Sequence, residues 1–138
     1  MNLIEIIDKL KEIALSKPNI NFVGEGDIYE LNNLGNIDYC VFYITQQTHS
    51  FSENIAYYQL NLFYVDRLAK DNSNRLSIHS VGMDAITNIL NELTNIEDVE
   101  IDYPIAFTTF NERFADDCAG VFCTVTLITY KQIGVCYE

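Results

Sequence analysis

Ile55-Ala56-Tyr57-Tyr58-Gln59-Leu60-Asn61-Leu62-Phe63-Tyr64-Val65-Asp66-Arg67-Leu68 reads as the longest strand of the chain. Ala56, Tyr58, Leu60, Leu62 and Tyr64 recur at every second position and fill one face, which is the strand period. The other face is mixed: Ile55, Tyr57, Gln59, Asn61, Phe63 and Val65. On its N-terminal side, polar residues cluster from Gln46 through Asn54 and predict an exposed hairpin loop, Phe51 being the exception. Before that loop, Asp38 to Thr45 sets Tyr39, Val41 and Tyr43 against Cys40, Phe42 and Ile44. A strand apolar on both faces is covered on both sides or buried in an interface.

Further out, Asn21 to Leu31 reads as two short strands about the Gly24–Gly26 turn. Leu3, Ile6, Ile7, Leu10, Ile13 and Ala14 recur at helical spacing, so a first helix is predicted over 2–16. Asn2 and Glu5 form a capping box at its start, and Pro18 ends it. On the C-terminal side, Asp71-Asn72-Ser73-Asn74 is a turn that supplies helix caps. Ile78, Val81, Ala85, Ile86, Ile89, Leu90 and Leu93 then make the stripe of a second helix. Strands follow at Val99–Tyr103, at Ile105–Phe110 and, finally, from Val121 to Lys131. The order α-β-β-β-β-α-β-β-β predicts an α+β fold, a mainly antiparallel sheet with two helices packed on one face. Residues 1–138 make a single domain, with no repeat, linker or low-complexity tract.

The chain has 20 Asp and Glu against 8 Lys and Arg, a formal charge of −12. Such a surface excludes general affinity for nucleic acid, which depends on basic side chains releasing counterions from phosphates. It disfavours anionic membrane for the same reason. No apolar run approaches the ~20 residues that span a bilayer, and the start of the chain does not read as a signal or transit peptide. Cys40, Cys118, Cys123 and Cys136 are expected to be reduced and buried as small hydrophobes.

No chemical motif stands out. Cys118 and Cys123 do not have knuckle spacing, and His49 and His79 lack acidic partners at ligand spacing. Gly24-Glu25-Gly26-Asp27 lacks the lysine and the following helix of a phosphate loop. Asp98, Glu100 and Asp102 share one strand face opposite Val99, Ile101 and Tyr103, the pattern of a solvated face. We therefore expect no enzymatic activity, no metal and no cofactor. The acids are unevenly placed: no Lys or Arg lies between Lys17 and Arg67, and five acids with no base run from Glu92 to Asp102.

Three stretches, together with the element order, resemble a known family. They are Tyr58 to Leu68, Ser80-Val81-Gly82-Met83-Asp84-Ala85-Ile86, and Phe110-Asn111-Glu112-Arg113-Phe114-Ala115-Asp116-Asp117-Cys118-Ala119-Gly120-Val121. With a short N-terminal helix, a meander with a long aromatic strand, a second helix and closing strands, the chain resembles tail-terminator and neck-ring (head–tail connector) proteins of tailed bacteriophages. The last two stretches are similar to small structural proteins of crAss-like phages of Bacteroidales.

The resemblance implies a virion protein of the neck or tail, assembled in the host cytoplasm. It would form a hexameric or dodecameric homo-oligomeric ring, stacked on neighbouring neck and tail proteins, with DNA only as passing cargo and no membrane contact. Under that reading Tyr39, Val41, Phe42 and Tyr43 would make lateral subunit contacts, although strand aromatics more often belong to a monomer core. Gln46, Gln47, His49 and Phe51, with Asn111, Arg113 and Phe114, would be the ring-stacking loops. Glu97, Asp98 and Glu100 would line a lumen that repels the DNA backbone. The alternative is a small acidic phage-encoded binding module that captures a host protein.

Overall fold

In the computed structural model, residues 2–27, 39–71, 73–96, 98–111 and 118–130 are described. They form helix α1 (Leu3–Leu15), strands β1 (Phe22–Glu25), β2 (Val41–Ser52) and β3 (Ile55–Arg67), helix α2 (Arg75–Ile96), and strands β4 (Glu100–Ile101), β5 (Phe107–Asn111) and β6 (Cys118–Tyr130). This is the expected α+β fold, with a six-stranded, mostly antiparallel sheet. The further strand expected before the second helix falls at 28–31, outside the described residues.

Local chemistry sets α1. The Asn2 side chain accepts the Glu5 N–H at 2.9 Å, and Glu5 Oε1 accepts the Asn2 N–H at 2.9 Å. Such reciprocal capping satisfies two donors that the first helical turn leaves open and contributes about 1 kcal/mol. Ile6, Ile7, Leu10, Ile13 and Ala14 are buried, and the helix stops before Pro18. Asn74 sets the start of α2 differently. Its side chain donates to the Arg67 carbonyl and accepts the Ala69 N–H, tying the helix to the end of β3.

The sheet runs β1-β2-β3-β6, and β6 carries β5 and β4 one after the other along its outer edge. β1 pairs parallel with β2, and every other pair is antiparallel. β3 and β6 pair along their whole lengths, from Ile55 opposite Tyr130 to Arg67 opposite Cys118. One sheet face, with Phe42, Ile44, Leu60, Leu62, Tyr64, Val121, Cys123, Val125 and Leu127, packs with both helices into the main core. At Gly82 the helix backbone lies so close to Val121 and Tyr64 that a Cβ would collide with both. Gly82 therefore occupies the sheet-facing position, and Val81, expected in the apolar stripe, is 40% exposed.

Val41, Tyr43, Phe63, Val65, Phe110 and Cys118 make a second core on the opposite sheet face, with Phe22, Tyr39 and Phe122 against it. Phe63 and Phe122 stack at 5.1 Å between ring centroids. This corrects the expected subunit contact at Val41, Phe42 and Tyr43. All three are buried within the single chain, because β2 is covered on both faces at this level. Only Tyr39 of that group is partly exposed.

The loop expected at Gln46–Asn54 is corrected as well. β2 continues to Ser52, and the chain reverses at Glu53 and Asn54, with Glu53 in the left-handed region at φ 55°. The polarity there reports an exposed strand rather than a turn. Beyond Ile44, β1 no longer flanks β2, so its side chains meet water and need not be apolar. Near the closing strands, Tyr103 is 64% exposed instead of sharing the inner face with Val99 and Ile101. Past Ile101 the chain leaves β6, keeping only the Asp102 N–H to the Thr126 carbonyl, and the alternation ends with the ladder.

Thr129 lies on the helix-side face, 1% exposed, and its hydroxyl has no hydrogen-bond partner among the described residues. An unsatisfied buried hydroxyl costs about 1–3 kcal/mol. Thr129→Val keeps the shape and removes that cost, so urea unfolding should show a gain of about 1 kcal/mol. A loss of stability would mean that the hydroxyl is bonded.

Candidate functional site

Three surface features are candidates: the far half of the β2–β3 hairpin, the acidic β4 edge, and a groove beside α2. In the hairpin, the register shifts between Gln46 and His49, a bulge that sets Gln46 opposite Leu60 but His49 opposite Tyr58. His49 repairs the ladder there. Its Nδ1 accepts the Gln59 N–H at 3.3 Å, which leaves Nε2 to donate to Gln46 Oε1 at 3.0 Å. The ring also meets Tyr58 edge-on, with centroids 5.6 Å apart.

On the face away from the helices, Asn61 joins three strands. Its Oδ1 accepts from Thr124 Oγ1 at 2.7 Å and from Gln47 Nε2 at 3.2 Å, and its Nδ2 donates to Thr45 Oγ1 at 3.1 Å. Of the expected stacking residues, Gln46, Gln47, His49 and Phe51 thus lie on a paired strand, where Gln47 and His49 are engaged with neighbours of their own chain. Asn111 is exposed at the end of β5, far along the sheet from the hairpin tip. Arg113 and Phe114 lie outside the described residues.

Asp98 and Glu100 are exposed, as is Asp102, with buried Val99 between the first two. Glu97 lies outside the described residues. The Tyr130 hydroxyl donates to Glu100 Oε1 at 3.4 Å, and the Glu100 charge holds the phenol above its ordinary pKa. Acids are thus displayed on the β4 edge.

The groove was not legible in the sequence. Thr87, Leu90 and Asn91 of α2 form one wall, and Tyr103, Pro104, Ile105 and Phe107 form the other, around about 350 Å³. Its lining is chiefly apolar, and its residues come together only when α2 packs on the edge of the sheet. The exposure of Tyr103 marks its mouth.

The reactive side chains lie elsewhere. Cys40, Cys118 and Cys123 are buried. Burial pushes the Cys40 and Cys123 thiols up to about 12 from an ordinary 9.0. Thiols held neutral in this way are poor nucleophiles and poor metal ligands. Cys118 Sγ donates to the Tyr39 hydroxyl, whose ring lies under the Arg67 guanidinium. His79, half-buried on α2, has Nε2 3.3 Å from the Phe110 carbonyl. Among the described residues no three His, Cys, Asp or Glu side chains form a group that could hold a metal. No helix among them is long and apolar enough to cross a membrane.

The thiols give a pH prediction. Between about 9 and 12 the folded chain keeps protons that the unfolded chain releases. Their contribution to stability is therefore complete below pH 9 and declines as pH rises toward 12. Urea midpoints should fall steadily above pH 9, and Cys123→Ala should flatten that fall. At pH 8, Cys40 and Cys123 should resist alkylation in the native protein and react once it is unfolded.

No family model matches the chain, and no curated protein matches it.

Proposed function

We propose that the chain is a structural ring subunit of a tailed-phage neck or tail, of the tail-terminator type, which acts as a mechanical adaptor around the DNA channel without catalysis. The observation that supports this most directly is the form of the sheet. It ends in two unlike edges, the far half of β2 on one side and β4–β5 on the other, and no described strand lies beyond either. Unlike surfaces at opposite ends of a subunit suit head-to-tail contact between copies, which closes into a ring when the rotation allows. The resemblance of element order and of the three quoted stretches points the same way. Exposed Asp98 and Glu100 suit a surface past which DNA slides, because like charge prevents adhesion.

The test is the composition of purified particles from a phage that encodes the chain. Quantitative mass spectrometry should find it in the virion at a copy number matching a ring, and antibody labelling should mark the neck or tail. Absence from particles overturns the reading. Recovery of a host protein in its place would favour the alternative, a binding module.

A further inference from the structure

We propose that the groove beside α2 receives the N-terminal turn of α2 from a second copy of the chain, with Leu76 entering the groove and Arg75 and Lys70 meeting its acidic rim. This deepens the ring reading, and rests on it for the closure of the assembly, by naming the contact between neighbours.

Charge selects the occupant. From Leu76 through Asn111 the chain has six acids, Asp84, Glu92, Glu97, Asp98, Glu100 and Asp102, and no Lys or Arg. Both walls of the groove fall in this stretch. Asp84 stands on α2 one turn before Thr87, and Asp102 precedes Tyr103; both are exposed. An apolar slot with this rim takes an apolar side chain flanked by positive charge.

The chain carries such a feature. Leu76 is 77% exposed, the highest value among the exposed large hydrophobic residues described. Arg75 precedes it and Lys70 lies on the adjoining turn, both exposed. The stretch 67–75 holds three of the chain's eight Lys and Arg. The first turn of α2 contains no acid, so the helix dipole adds to the positive charge at that end. Most approaches between two copies bring acid against acid; this one brings base against acid.

The chain cannot fill its own groove. Leu76 and Leu90 are about 21 Å apart along one straight helix, by the rise per residue. A Leu76 seated in the groove must therefore come from another copy. Because knob and groove are different surfaces, each subunit can give and receive, and the contact propagates.

Sedimentation velocity at low salt, from micromolar to submillimolar protein, tests this. Wild type should form species larger than a dimer. Leu76→Glu, which spoils the knob, and Tyr103→Glu, which spoils the groove, should each weaken association at least about tenfold. Both positions are exposed, so circular dichroism and melting should stay at wild-type values. Mixing the two variants leaves one good contact, between the Tyr103→Glu knob and the Leu76→Glu groove, and should give a one-to-one dimer and nothing larger. Arg75→Glu should also weaken association, and adding Asp102→Arg should restore it.

Two results overturn the inference. If both glutamate variants assemble as wild type does, copies associate through another surface and the ring reading survives. If wild type stays monomeric throughout, this contact does not exist, and copy number in purified virions separately decides the ring reading.

Discussion

Gly120→Ala should cost at least about 3 kcal/mol, at the upper end of what one added methyl group exacts in a packed core. Gly120 sits in β6 opposite Val65 of β3 and Phe110 of β5. A Cβ there would fall on the carbonyl oxygen of Tyr64 and against the Phe110 ring. The ring could swing aside, but the carbonyl belongs to the main chain of β3. Only separation of β3 from β6 relieves it, and that ladder is the longest in the sheet. Set against a total stability of ~5–15 kcal/mol, the change should lower the melting temperature by roughly 10 °C or abolish soluble expression. Adding Phe110→Ala should not rescue the variant, because the carbonyl remains. A wild-type melt for Gly120→Ala would refute this close approach of the two strands.

Phe42→Ala should cost about 3–5 kcal/mol, the usual range for emptying the place of a fully buried phenylalanine. Phe42 is 0% exposed and packs in the core shared by the sheet and both helices. This substitution separates two meanings of an aromatic strand. A core residue destabilises the isolated subunit, so the urea midpoint falls equally at every protein concentration. An interface residue leaves the dilute subunit intact and shows its effect only as association is lost. The first outcome is expected, and the second would return Phe42 to the subunit boundary.

The parts of the fold that could be read from sequence are those in which one local pattern decides the outcome. Asn2 and Glu5 state the start of α1, and the alternation from Ala56 to Tyr64 states the inner face of β3. Where two arrangements share a pattern, sequence misled. Tyr39 to Ile44 is apolar on both faces whether its second cover is the chain's own Phe63 and Phe110 or a neighbouring subunit. Gln46 to Ser52 is polar whether it forms a loop or an unflanked strand, and only its pairing with β3 tells them apart. The exposure of Asp98 and Glu100 followed from alternation alone. The groove could not follow from any local rule, since Leu90 and Tyr103 meet only through the docking of α2.

The hydrogen bonds around Asn61 bear on what the open face of the sheet can bind. Both acceptor sites of the Asn61 amide oxygen are occupied, and one of its two donor hydrogens is used, so a single hydrogen remains to offer a visitor. A broad polar stretch of β-sheet in a crowded cell invites indiscriminate adhesion. Here its central polar group is already engaged by Thr45, Gln47 and Thr124, and beyond that one hydrogen a foreign chain laid across it would have to displace bonds as good as those it could form. The open face thereby has little left to offer a foreign chain.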